Sequence, residues 1–297
     1  TWRGVPATGA RSPRVRPASV APVADTRNAR STVACDGICT RTLPVAVRVS
    51  PELSEQLVLP DLADALLAQG KTRVRFFRDR PSRIGILPRY GQGSEVRWFP
   101  CAPFYMYHTI NAWEEGDKVV LLGCKIEAPL VGDPANPPRN VPSIGFLRLE
   151  PCLYRWEFDL KTGGVKETKL DDVVAEFPRM DNRVLGRKTR YSYRQRFAPE
   201  PTLLFDGVVK HDTETDSSTT HVYPKGFFGS ETVFAPRVGS KSEDDGYLVT
   251  FVVEEATGKS EAWVLDAQNM TAPPVARVEI PQRVPTGYHA WWVQAGA

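Results

Sequence analysis

Downstream of Arg83 the chain consists of short β-branched and aromatic runs separated by turn-forming residues, a pattern that leaves little room for anything but strands. The runs are Val96 to Phe99, Val119 to Cys124, Ile144 to Leu149, Tyr154 to Asp159, Val165 to Leu170 and Tyr191 to Phe197. Leu203 to Val209, Thr232 to Ala235, Tyr247 to Val253, Ala262 to Asp266 and Val275 to Ile280 continue them. Between them stand explicit turn signals at Gly91-Gln92-Gly93, Lys161-Thr162-Gly163-Gly164, Asp244-Asp245-Gly246 and Thr257-Gly258-Lys259. Consecutive hairpins of this kind predict an antiparallel all-β body. The strand number exceeds what one simple sandwich holds, and no clean repeat period decides between propeller and sandwich. One helix is predicted, over residues 61–70, with Asp61 as N-cap and Gly70 as the stop.

Residues 1–50 have a different texture. They are rich in Arg, Pro, Ser, Thr, Ala and Val, and neither a helical nor a strand period is evident in them, so they are read as disordered or poorly packed. They carry eight Arg against two Asp, whereas the whole chain has a net charge of +3. The remainder is therefore slightly acidic and lacks the concentrated positive field that binds a phosphate backbone, which argues against a nucleic-acid partner. No apolar run approaches the roughly 18 residues of a membrane-spanning helix, so contact with a membrane would be peripheral. Five Cys at 35, 39, 101, 124 and 152 show no repeated spacing, and no secretory segment precedes them. Reduced thiols and a cytoplasmic location are expected, with a plastid location as the alternative if the Arg- and Ser-containing leader is a transit segment.

The chain has four His. His108, in Phe104-Tyr105-Met106-Tyr107-His108-Thr109, and His289, in Gly287-Tyr288-His289-Ala290-Trp291-Trp292, sit in dense aromatic text. A neutral ring is expected at each, either a hydrogen-bonded core His or a metal ligand. By contrast, His211 in Lys210-His211-Asp212-Thr213 reads as part of a polar hairpin tip, and His221 follows a Ser/Thr run, so both are expected to be solvated.

Five stretches in order carry a resemblance that bears on these alternatives. They are Pro81-Ser82-Arg83-Ile84-Gly85-Ile86-Leu87-Pro88-Arg89, the segment from His108 to Gly116, Glu176-Phe177-Pro178-Arg179-Met180-Asp181, Glu243-Asp244-Asp245-Gly246-Tyr247-Leu248, and the run from Pro281 to His289. From about Leu57 to its end the chain resembles the C-terminal portion of the carotenoid cleavage oxygenase family, which includes apocarotenoid and lignostilbene dioxygenases. The resemblance implies a seven-bladed β-propeller, here incomplete with its N-terminal blades missing. Its axis would hold one Fe(II) bound by four imidazoles, of which His108 and His289 match the third and fourth. It implies Glu176 and Glu243 as carboxylates that orient the ligand rings. It also implies a reaction in which O₂ adds across a conjugated C=C bond of a carotenoid, apocarotenoid or stilbene-type substrate and splits it into two carbonyl products. The apolar substrate needs a tunnel, for which Phe104, Tyr105, Tyr107 and Trp113 are candidate wall residues, though the same side chains suit a propeller core.

The family's two further His ligands have no counterpart here, since residues 1–56 contain no His. The expected organisation is thus a disordered or non-family segment over 1–50 and the C-terminal part of the propeller over 51–297. The change of texture near Val49-Ser50-Pro51 is what a truncated or frame-shifted gene would produce, and a two-His iron site would be weak or inactive. A non-catalytic propeller fragment that acts as a binding module is the alternative from a different class. Hydrolase chemistry has no support, because no Gly-x-Ser-x-Gly elbow is present.

Overall fold

A computed structural model describes residues 78–127, 150–200, 203–285, 287 and 289–293, together with the backbone of 45–50, 130–131 and 147–148. Strands dominate: β1 (Val45–Ser50), β2 (Ser82–Pro88), β3 (Arg97–Cys101), β4 (Tyr105–Glu115), β5 (Lys118–Ile126), β6 (Leu130–Val131), β7 (Leu147–Arg148), β8 (Cys152–Asp159) and β9 (Val165–Lys169) come first. They are followed by β10 (Ala175–Arg179), β11 (Tyr191–Phe197), β12 (Phe205–Asp212), β13 (Ser217–Val222), β14 (Phe227–Gly229), β15 (Val233–Pro236), β16 (Gly246–Glu254), β17 (Ser260–Asp266) and β18 (Ala276–Ile280).

These strands pair as antiparallel meanders. β4-β5-β8-β9 form one four-stranded unit, β10 to β13 a second and β15 to β18 a third, with β14 bridging β12 and β16 so that the last two share one sheet. β1-β2-β3 form a further sheet, and β6 pairs with β7. The turns have local causes. Asp159 Oδ1 accepts from the backbone N–H of Lys161 and Thr162, and Gly163 takes a positive φ of 77°, which closes the β8–β9 hairpin.

Apolar residues on both faces of the sheets stack neighbouring meanders. Val119 to Ile126 of β5 are buried without interruption, the pattern of a strand covered on both sides. Leu121, Trp156 and Phe158 on one face pack with Ile84, Ile86 and Phe99 of the β1-β2-β3 sheet, while Val120, Leu122 and Leu153 pack with Ile110, Trp113 and Met180 on the other. A separate core joins Tyr193 and Val208 to Phe234, Leu248, Trp263 and Leu265.

The predicted helix over 61–70 and the segment 1–44 lie outside the described residues. β1 lies within the stretch read as aperiodic, yet Val45, Val47 and Val49 alternate there and the strand pairs residue for residue with β2. Six residues of alternation were too short a signal against their Pro- and Arg-rich surroundings. Of the run from Ile144 to Leu149, only Leu147–Arg148 is described, as β7.

The expectation that His211 and His221 are solvated is corrected: they are 0% and 8% exposed. β12 continues through His211 to Asp212, and the turn falls after it, so His211 keeps the inward phase of Phe205, Gly207 and Val209. Its Nδ1 lies 3.0 Å from Ser218 Oγ, which donates to Asp171 Oδ2 at 2.6 Å. Asp171 in turn binds the fully buried Arg194 through both carboxylate oxygens. His221 Nδ1 sits 3.0 Å from the Met270 carbonyl.

Burial and the neighbouring Arg194 hold the His211 pKa below its ordinary 6.5. The group therefore binds its proton more readily in the unfolded chain. Its contribution to stability is present above pH 6.5 and is lost as pH falls through 6.5 towards the folded-state value. The thermal midpoint is expected to drop between pH 7.5 and 5.5, and less so in His211→Gln; an identical drop in both proteins would refute the assignment.

Candidate metal centre

Four returns of the chain bring side chains to one point. His108 lies on β4, Glu176 on β10, Glu231 just ahead of β15, and His289 on the segment after β18. β4 and β10 are the first strands of their meanders, and β15 that of the third. Convergence of residues 181 positions apart, as His108 and His289 are by number, is what radially arranged meanders provide.

The imidazoles of His108 and His289 have centroids 5.3 Å apart and planes at 78°. Phe177 packs against both, at 5.1 Å from His108 and 5.8 Å from His289. Glu176, almost wholly buried, receives three N–H groups: His108 Nδ1 at 2.7 Å, the His108 backbone at 3.3 Å, and the Phe177 backbone. A carboxylate only accepts, so the proton of a neutral His108 ring sits on Nδ1 and the lone pair on Nε2 is left available. Burial opposes charging of this ring, but the hydrogen bond and charge of Glu176, with Glu231 nearby, outweigh it and raise the His108 pKa.

Glu231 supports the other ring. Its Oε2 accepts from the Ala290 backbone N–H and from Arg179 Nη2 at 2.9 Å, and lies 3.6 Å from His289 Nδ1, an ion-pair approach longer than a hydrogen bond. Arg179 also donates to the Ala290 carbonyl at 2.6 Å and stacks over Trp291 at 5.3 Å, so it holds the segment that carries His289. His108 is 31% exposed and His289 64%, so the site is open on one side.

Two imidazoles whose Nδ1 atoms stand beside carboxylates suit a metal ion, because each ring then keeps Nε2 as its lone-pair donor. Among the described residues no group of three or more His, Cys, Asp or Glu is arranged to hold a metal.

The structure thus brings together His108, His289 and Glu176 as the sequence reading grouped them, and separates Glu243 from them. Glu243 Oε2 accepts from Thr189 Oγ1 and from the Arg190 and Tyr191 backbones, fastening the start of β11. The carboxylate beside His289 is Glu231, a residue the sequence reading missed. Its one signal is a lone acid immediately before the buried run from Thr232 to Ala235. Of the candidate tunnel residues, Phe104 and Trp113 are core. Tyr105 and Tyr107 pack edge to face at 4.8 Å, and Tyr107 stands 6.3 Å from His108. Burial, then Tyr105, pushes the Tyr107 pKa up to about 12, so it is a neutral phenol at physiological pH. Cys101, Cys124 and Cys152 are free and buried; Cys35 and Cys39 lie outside the described residues.

Comparison with known proteins identifies the family. Residues 46–294 match the family described as retinal pigment epithelial membrane protein. A carotenoid 9,10(9',10')-cleavage dioxygenase 1 of Pisum sativum is 38% identical over 76% of this chain and 44% of its own length. An isoeugenol monooxygenase of Pseudomonas putida is 32% identical over 72% of this chain and 46% of its own. Among solved structures, Pseudomonas brassicacearum lignostilbene dioxygenase superposes with a TM-score of 0.68 at 27% identity, covering 82% of this chain and 52% of that one. A cobalt-substituted Synechocystis ACO gives 0.69 at 25% identity over 84% and 50%. The chain spans about half the length of the relatives it matches. The expected propeller fold, as a part of the full one, is borne out.

Proposed function

Since this chain belongs to the retinal pigment epithelial membrane protein family of carotenoid cleavage oxygenases, we propose that it is the C-terminal part of a non-haem Fe(II) dioxygenase. The substrate would be a carotenoid, apocarotenoid or stilbene-type molecule, cut at a conjugated C=C bond with one atom of O₂ entering each carbonyl product. The observation that carries this reading is the pair of facing imidazoles, His108 and His289, 5.3 Å apart with a buried carboxylate beside each.

His108 and His289 would hold the iron through Nε2. Fe(II), when bound, supplies the electrons that activate O₂. Glu176 keeps the His108 proton on Nδ1 and so keeps Nε2 a lone-pair donor. Glu231 and Arg179 anchor the backbone at Ala290, next to His289. Charged residues facing the reacting bond are unnecessary, because the cleavage moves no proton to or from the substrate.

The test is metal uptake by the 297-residue chain after anaerobic reconstitution with Fe(II). Weak iron binding, measured by anaerobic equilibrium dialysis and lost in His108→Ala and His289→Ala, is the expected result. A wild-type chain that retains no more iron than either variant would overturn the reading and favour a non-catalytic propeller fragment.

A further inference from the structure

Phe177 is the only residue near the two imidazoles that combines a bulky side chain with a left-handed backbone, at φ 54° among the described residues, where Asp216 is the other non-glycine case. A residue that precedes proline and is not glycine pays for that conformation, so something must hold it there. The register of β10 against β11 shows what it accomplishes. Glu176 pairs with Gln195 and Arg179 with Tyr193, three steps on one strand against two on the other. One extra residue is therefore inserted at Phe177-Pro178, a β-bulge.

The bulge changes which residues share a face. In a regular strand, positions three apart point to opposite sides. With one residue inserted, Glu176 and Arg179 both turn to the site: Glu176 to His108, Arg179 to Glu231 and the backbone of Ala290. The N–H of Phe177 donates to the Glu176 carboxylate, and Pro178 has no N–H to lose.

We propose that Phe177 is a positioning residue: its left-handed backbone builds the bulge that lets one strand brace both histidines at once, Glu176 directly and Arg179 through Glu231. The inference rests on the metal-site reading above for its importance to function, but the geometry can be read without metal.

Substitution separates backbone from side chain. Glycine and asparagine accept φ > 0, whereas β-branched isoleucine and valine resist it while keeping apolar bulk. Imidazole ¹⁵N spectra of the metal-free chain report the His108 tautomer. The Nδ1–H form is expected to persist in Phe177→Gly or Phe177→Asn and to give way to a tautomer mixture in Phe177→Ile or Phe177→Val. Cobalt(II) titration of the same proteins should show affinity within about threefold of wild type for the first pair and about tenfold weaker for the second. A residue that merely fills space would give the reverse order, since isoleucine and valine preserve more of the packing. An unchanged tautomer in all folded variants, or that reverse order, overturns the proposal. Should wild type bind no cobalt while the tautomer still follows the expected order, the metal reading fails and the positioning role stands.

Discussion

Asp171→Ala is expected to destabilise the fold by about 3–5 kcal/mol, the usual cost of stranding a buried charge. Arg194 has no exposed surface, and both Asp171 oxygens are engaged with its guanidinium. Ser218 donates to the same carboxylate and also meets His211, so the loss would spread across three strands of one sheet. Burial alone would raise the Asp171 pKa, but Arg194 and Ser218 more than reverse it and hold the carboxyl below its ordinary 3.8. That sign means the pair stabilises above pH 3.8 and is lost as pH falls below it. Urea denaturation at pH 7.5 reads the effect as a lowered midpoint at constant slope. Replacing both partners, Asp171→Leu with Arg194→Met, should recover most of the loss, because no unpaired charge remains. A single-variant cost under about 1 kcal/mol would show that the pair is dispensable.

The second large effect concerns function. Glu231→Ala should weaken cobalt(II) or iron(II) binding by about 10- to 100-fold, the range found when a carboxylate behind a metal-binding His is removed. The variant takes away the acceptor for the Ala290 N–H and the counter-charge for Arg179, both next to His289. Glu231→Gln retains an acceptor without the charge and should fall between. Glu243→Ala is the control: its contacts lie at the start of β11, so metal affinity should stay within about threefold of wild type even if stability falls. Equal losses for Glu231→Ala and Glu243→Ala would mean that metal binding reports general destabilisation and not a specific contact.

Much of the fold was legible in advance because strand and turn chemistry are local. Val119 to Cys124 and Tyr154 to Asp159 announce β5 and β8 through β-branched and aromatic residues, and Lys161 to Gly164 announces the hairpin that follows. Misjudged elements were those whose environment depends on distant chain. His211 looked like a hairpin tip because its sequence neighbours, Lys210 and Asp212, are charged. β11 and β13 nevertheless flank it on both sides, and its ring reaches Ser218 and the Asp171 pair. Likewise β2, β4, β6, β10, β13 and β14 were not among the anticipated runs; Ser217 to Val222 lacks an apolar face, and Phe227–Gly229 is too short to show a period.

For the site, the two imidazoles and one of their carboxylates were legible only through the family resemblance carried by the stretches around His108, Glu176 and His289. Residue type alone left each of the two His equally readable as a hydrogen-bonded core side chain. Which acid meets which ring was decided by tertiary structure alone. Glu243 and Glu231 both precede strands, but only Glu231 stands where β10 and the C-terminal segment meet, and only there do Arg179 and the Ala290 N–H make a buried carboxylate tenable. The bulge at Phe177 belongs to the same class: strand phase is a property of pairing, and pairing exists only once two strands lie side by side.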